Sequence, residues 1–170
     1  MMDSHNSTIK ILKPNIEAPD FCLPATPDQK ISLHEFRGSP VVLVFYPADW
    51  SPVCGDELVI FNEVLPELKR HKANVLGISV DNVWSHIAYT QAKHLHFPLL
   101  SDFEPKGAVA KFYGAYESSA GVCSRALFVI NGESMIYWSY VSPMGVNPGA
   151  DGVLDALSSM PGSLAREGSS

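Results

Sequence analysis

The run PVVLVFY, residues 40 to 46, is continuously apolar and rich in β-branched residues between Gly38 and Pro47. A half-exposed strand would alternate, so this run predicts a central strand buried on both faces. Past Pro47 the period changes. Leu58, Phe61, Leu65 and Leu68 recur at offsets of three, four and three, which predicts one face of a helix over about 52–70. A buried strand passing through a short loop into a helix is a βα unit. In open α/β sheets, ligands meet the chain beyond the carboxyl ends of such strands.

The remaining segments extend this pattern. NVLGISV at 74–80 predicts a second buried strand, and Asp81 a cap for a helix in which Trp84, Ile87, Ala88 and Leu95 share a side. Phe97–Leu100 predicts a short strand and Lys106–Tyr113 a short helix. RALFVI at 125–130 predicts a strand, Asn131–Gly132 a hairpin turn, and Met135–Val141 its antiparallel partner. A last helix over about 150–160 buries Val153, Leu154 and Leu157. Upstream, Ile9–Leu12 has weak strand character, and four prolines break residues 14–27 into short pieces before a turn at Thr26–Gln29. The sum is an α/β sandwich with a mixed sheet, one domain across 1–170, with loose ends at about 1–8 and 161–170.

Composition narrows the function classes. With 46% apolar and 18% charged residues the chain has the balance of a folded protein. No apolar run is long enough to span a bilayer, and the N-terminus lacks the apolar stretch and cleavage site of a secretory signal, so a cytoplasmic location is expected. A formal charge of −6 with scattered lysines and arginines argues against nucleic-acid binding. No GxGxxG or P-loop points to a nucleotide cofactor, and the six histidines form no tight Cys/His cluster, so neither cofactor nor metal is expected. His94 and His96 suit a helix surface, and His86 suits a solvated helix position as readily as a site. Three cysteines, an odd and widely spaced set, favour a free thiol in a reducing compartment.

Cys54 sits where chemistry is expected, in the loop-to-helix junction FYPADWSPVCGDEL. Ser51 is a suitable N-cap and Pro52 suits the first helical position, which puts Cys54 in the first turn. Unpaired N–H groups there stabilise a thiolate, the reactive form of cysteine. Its offset from Leu58 turns it toward the core, on the floor of a pocket. The alternative is a small buried hydrophobe. Asp56 and Glu57 suit the helix dipole without any function, yet their charges oppose a thiolate, so a cation is needed. Arg125 can supply it if its strand neighbours residues 40–46. A surface arginine opening a strand is the competing assignment. Arg37 and Arg70 are expected to face solvent.

These residues resemble the peroxiredoxin family. The segment Pro47–Cys54 looks like its signature of a proline, then a serine or threonine, then the peroxide-reacting cysteine. APDF at 18–21, ISVD at 78–81, Ser85–His86, FPLLSD at 97–102, VAKFYGAY at 109–116 and Arg125 agree with the flanking blocks of that family. The likeness is nearest in flavour to the small AhpE-like, one-cysteine members. The resemblance implies a thioredoxin-like fold with a central mixed sheet flanked by helices. It implies reduction of hydrogen peroxide, alkyl hydroperoxides or peroxynitrite through a Cys54 sulfenic acid. Ser51, Pro47 and Arg125 would join Cys54 in catalysis, with Val53, Glu57 and Trp50 on the substrate side. It also implies a homodimer, for which Trp50, Trp84 and Tyr89 could form a flat edge if they are not core.

The cysteine count leaves three routes back from the sulfenic acid. An external thiol is expected: a thioredoxin-, glutaredoxin- or mycoredoxin-like protein, or a low-molecular-weight thiol. Cys123, two residues before Arg125 and expected near the rim of the pocket, is a second route, at the cost of unwinding the first helical turn. Cys22, in an apolar stretch, is expected to be core filler. Ser51-Pro-Val-Cys54 has CxxC spacing but lacks the first thiol of a dithiol relay. A non-catalytic thioredoxin-like binding or redox-sensing protein is the alternative of another class.

Overall fold

The computed structural model describes residues 10–161. A hairpin of β1 (Cys22–Thr26) and β2 (Gln29–Ser32) closes through the expected turn, and a short 3-10 helix follows at Leu33–Phe36. Then come β3 (Val41–Phe45), α1 (Pro52–Glu63), α2 (Leu65–Arg70), β4 (Asn74–Ser79), α3 (Val83–Lys93) and β5 (Leu99–Ser101). The second half holds α4 (Ala108–Phe112), β6 (Tyr116–Glu117), β7 (Val122–Cys123), β8 (Arg125–Ile130), β9 (Ile136–Ser142) and α5 (Asp151–Ser159). Five strands form one sheet in the order β5-β4-β3-β8-β9. β3, β4 and β5 run parallel, while β8 pairs antiparallel with both β3 and β9. This is the mixed sheet flanked by helices of a thioredoxin-like α/β fold.

β3 explains why the sheet sits in the middle of the molecule. All five of its residues are buried. Val42 and Val44, followed by Tyr46, enter one core with Leu58, Phe61, Tyr89, Leu127 and Val153. Val41, Leu43 and Phe45 enter the other with Leu76, Ile78, Val109, Tyr113 and Phe128. Each fully buried large apolar side chain favours folding by roughly 1.5–3 kcal/mol relative to exposure, so a strand that fills two cores belongs at the centre.

Four features differ from expectation. The helix over 52–70 is two helices, broken at Val64 (φ −94°, ψ 9°). Pro66 has no N–H to donate to the Asn62 carbonyl, and its ring crowds the preceding turn, so the first helix cannot continue. α3 is capped by Asn82, whose side chain accepts from the Ser85 N–H at 3.0 Å, and not by Asp81. The third is the small β6–β7 ladder within a stretch that showed no period. Lys10–Leu12 form no strand, although the Leu12 N–H donates to the Tyr113 carbonyl at 3.0 Å. The expected loose ends and Ile9 lie outside the described residues, apart from Pro161.

The register places the chemistry. Phe45 pairs with Ala126 and Val44 with Leu127, so Arg125 falls opposite the end of β3, where the loop to α1 begins.

Candidate active site

The loop leaves β3 at Tyr46, whose N–H donates to the Ile78 carbonyl at 3.1 Å. Trp50 takes a left-handed backbone (φ 71°), unfavourable for a bulky residue and tolerated only where the surroundings over-determine it. Its ring meets Tyr89 edge-on at 4.9 Å while 55% of the residue is exposed. Ser51 has N-cap backbone geometry, and its carbonyl accepts the Gly55 N–H at 2.8 Å. Its hydroxyl makes no capping bond, so that oxygen is uncommitted to the helix. Pro52 opens α1 as expected. Cys54 lies two residues on, wholly buried, among the first N–H groups that have no carbonyl within the helix.

Arg125 reaches the sulfur. Nη1 lies 3.3 Å from Cys54 Sγ and donates to Glu57 Oε1 at 2.9 Å. Nε and Nη2 both donate to the Met144 carbonyl, at 2.9 and 2.7 Å, which fixes the guanidinium plane. With only 2% exposure this is no surface arginine. The Met144 carbonyl had no signal in the sequence, because a main-chain acceptor can come from any residue type.

Glu57 is likewise no dipole-facing surface carboxylate. It is fully buried beneath Arg125, and its Oε2 has no hydrogen-bond partner. Burial pushes its carboxyl up to about 7, against the opposing pull of Arg125. Native Glu57 therefore holds its proton to a higher pH than the unfolded chain does. Where the folded state binds more protons, stability falls as pH rises. We expect stability to drop between about pH 4.5 and 7 by an amount on the order of 3 kcal/mol from this residue. Urea unfolding at pH 5 and 7.5 checks it: Glu57→Gln should lack this share of the slope, and equal slopes would contradict it.

The other cysteines lie elsewhere. All three are free thiols. Cys123 is not at the rim: it is fully buried in the core on the face of the sheet opposite Cys54, beside Phe45, Phe128 and Tyr113. The β6–β7 ladder, pairing Tyr116 with Cys123, carries it there. Burial raises its thiol well above the ordinary range, and the Asp102 and Asp81 charges add to the shift. Cys22 is not core filler but exposed, because strand alternation turns Leu23 inward and its neighbour outward.

Arg37, Arg70, His94 and His96 are exposed, as expected. Trp84 is 67% exposed, and Tyr89 is buried core. His86 departs from its solvated alternative, being buried at 1% exposure. Spacing along the chain signalled no cluster, yet Asp49, Asp81 and His86 converge within 4.8 Å. Asp49 carries no signal of its own in the sequence beyond its place inside the Pro47–Cys54 loop. A cavity of about 470 Å³ lined by Gly38, His71, Asn131 and Glu133 lies at the other end of the sheet, away from Cys54.

Comparison with known proteins places this geometry. Residues 14–139 match the AhpC/TSA family. The chloroplastic 2-Cys peroxiredoxin BAS1 of Hordeum vulgare is 32% identical over 155 residues, covering 85% of this chain and 73% of that protein. Alkyl hydroperoxide reductase E of Mycobacterium tuberculosis is 35% identical over 129 residues, covering 75% of this chain and 84% of that protein. The crystal structure of Enterococcus faecalis AhpC superposes with a TM-score of 0.76 at 27% identity, covering 84% of this chain and 88% of that one. The narrower likeness to AhpE-like one-cysteine members is corrected here. Two-cysteine peroxiredoxins and AhpC structures stand beside the E-type reductase among the relatives, so the likeness belongs to the wider family. Membership also decides against a purely binding protein: the chain belongs to the AhpC/TSA family of peroxiredoxins and is a thiol peroxidase.

Proposed function

We propose that the chain reduces hydrogen peroxide, alkyl hydroperoxides or peroxynitrite at Cys54, and that an external thiol regenerates the cysteine. The Cys54 thiolate attacks one peroxide oxygen, an S–O bond forms and the O–O bond breaks. The second oxygen leaves with a proton as water or alcohol, or as nitrite when the substrate is peroxynitrite; the peroxide is reduced, and the sulfur is oxidised to sulfenic acid. Charge builds on the oxygens as the O–O bond opens. Arg125 and the N–H groups of Val53 and Cys54 stabilise it, as fixed dipoles in a dry site do more effectively than water. The uncommitted Ser51 hydroxyl can donate to one oxygen and accept from another group. Pro47 shapes the loop and Trp50 covers it, while Glu57 holds Arg125 in line. The reading is carried by one observation: the Arg125 guanidinium, clamped on its other edge by Met144, stands 3.3 Å from the Cys54 sulfur.

The external route is favoured by where the other thiols lie. A disulfide needs α-carbons within about 7 Å. Cys54 and Cys123 belong to cores on opposite faces of the sheet, so joining them requires dismantling packed structure. The reductant would be a thioredoxin-, glutaredoxin- or mycoredoxin-like protein or a small thiol, reaching Cys54 once the first turn of α1 unwinds. Three free cysteines suit the reducing conditions of a cytoplasm. Among the described residues no helix is long and apolar enough to cross a membrane. Trp50 and Trp84, both more than half exposed, supply apolar surface for a homodimer, which sedimentation would detect.

The test is mass measurement after one equivalent of peroxide. Wild type and Cys123→Ala should yield the same single-oxygen Cys54 product, and both should need added thiol to turn over. An intramolecular disulfide in the wild type, lost in Cys123→Ala, would establish the two-cysteine route instead.

A further inference from the structure

A buried cluster that the reaction steps above do not use holds the loop between β3 and α1. The Asp49 side chain is wholly buried. Its Oδ1 accepts from the Tyr46 hydroxyl at 2.7 Å. Its Oδ2 accepts from the Ser85 hydroxyl at 2.8 Å and faces His86 Nδ1, also at 2.8 Å. Its main-chain N–H donates to Asp81 Oδ2 at 2.8 Å, an oxygen that also accepts from the Ser79 hydroxyl at 2.6 Å. The loop is thus tied to the ends of β3 and β4 and to the first turn of α3.

The second ring nitrogen decides the proton count. His86 Nε2 faces the Leu100 carbonyl of β5 at 3.1 Å. A carbonyl only accepts, so Nε2 carries a hydrogen, and the carboxylate at Nδ1 calls for another there. A neutral imidazole has one. The titratable groups around the ring are Tyr46 just past β3, Asp49 on the loop and Asp81 beyond β4. Burial, and then the Asp49 charge, push the Tyr46 phenol well above its ordinary range, which keeps it an O–H donor to Asp49.

We propose that His86 is a positioning residue for the peroxide-reducing loop, donating from both ring nitrogens so that an ionised Asp49 pins the loop to β3, β4, α3 and β5. The proposal rests on Cys54 being the reacting thiol. Ser51 follows Asp49 by two residues, with the left-handed Trp50 between them, a conformation that only firm anchoring on both sides maintains. Without the His86 bond, Asp49 loses its charged partner, Trp50 relaxes, and Ser51 and the start of α1 shift relative to Arg125. Misplacement of about 1 Å costs rate on the order of 100-fold.

The experiment uses the full chain labelled with nitrogen-15 at histidine, with His86 signals identified by their absence in His86→Asn. At pH 7 both His86 ring nitrogens should be protonated. An unprotonated ring nitrogen would overturn the proposal. Stopped-flow tryptophan fluorescence then follows the first oxidation by hydrogen peroxide, per site titratable with stoichiometric peroxide, so misfolded protein is not counted. His86→Leu should slow this step by about tenfold or more, and His86→Asn, which keeps a donor toward Asp49, should recover part of the loss. A smaller loss in His86→Leu, or no recovery in His86→Asn, would overturn it. If His86→Leu does not fold, the wild-type ring nitrogens still decide, together with a His86→Asn rate reduced at least about threefold. Undiminished oxidation in Cys54→Ser would instead refute the site itself and leave the His86 protonation result standing.

Discussion

Cys54→Ser is expected to abolish rapid peroxide turnover, by at least about 1,000-fold, because removing a nucleophile removes the step that the rest of the site serves. The serine hydroxyl fits the same buried volume, and its oxygen would still face Arg125 at the first turn of α1. It cannot form a sulfenic acid, and a neutral hydroxyl is a poor nucleophile without a base. Stability should change little, since the substitution is nearly isosteric and a hydrogen-bond donor is already beside it. Peroxide consumption measured beside a urea melt separates the two effects. Rapid turnover in a well-folded Cys54→Ser protein would contradict the account.

Arg125→Met should give the second largest effect, on rate and stability together. Removing the guanidinium takes away the charge beside the sulfur, and loss of one such donor typically costs about 100- to 1,000-fold. It also leaves Glu57 buried with no partner for either oxygen, and orphans the Met144 carbonyl. Breaking a buried ion pair from one side costs roughly 3–5 kcal/mol when the remaining group is charged. Burial raises the Glu57 carboxyl and Arg125 opposes that rise, so in the variant Glu57 takes up a proton at a higher pH than in the wild type, and the cost should shrink as pH falls. Arg125→Met combined with Glu57→Gln should therefore recover much of the stability at pH 8 and little of the rate. Chemical unfolding at pH 5 and 8, with stopped-flow oxidation of each variant, tests the separation. Equal recovery of stability and rate would mean that Arg125 acts only through packing.

The parts of this molecule that local patterns determine were legible in advance. PVVLVFY announced a two-faced central strand, and β3 fills both cores. RALFVI, Asn131–Gly132 and the following run announced the β8–β9 hairpin. Ser51, Pro52 and Cys54 announced the helix start, because capping chemistry is written within a few residues. What required space instead of sequence was missed. Glu57 looked like an ordinary first-turn carboxylate until β8 brought Arg125 over it. Cys123 looked close to the site because it is two residues from Arg125. A two-strand ladder is enough to carry it under the sheet. Asp49 and His86 lie thirty-seven residues apart and meet only because parallel strands β3 and β4 end side by side. Pro66 was readable as a helix breaker, but the apolar period across it was the stronger pattern.

The most direct test of the central claim is chemical trapping of the oxidised protein. Wild type is mixed with one equivalent of hydrogen peroxide in the presence of a sulfenic-acid-selective nucleophile, then digested and mapped by mass spectrometry. A single adduct is expected on the peptide carrying Cys54, with Cys22 and Cys123 unmodified. Peroxide consumed while Cys54 stays unmodified, or an adduct carried by Cys22 instead, would contradict it.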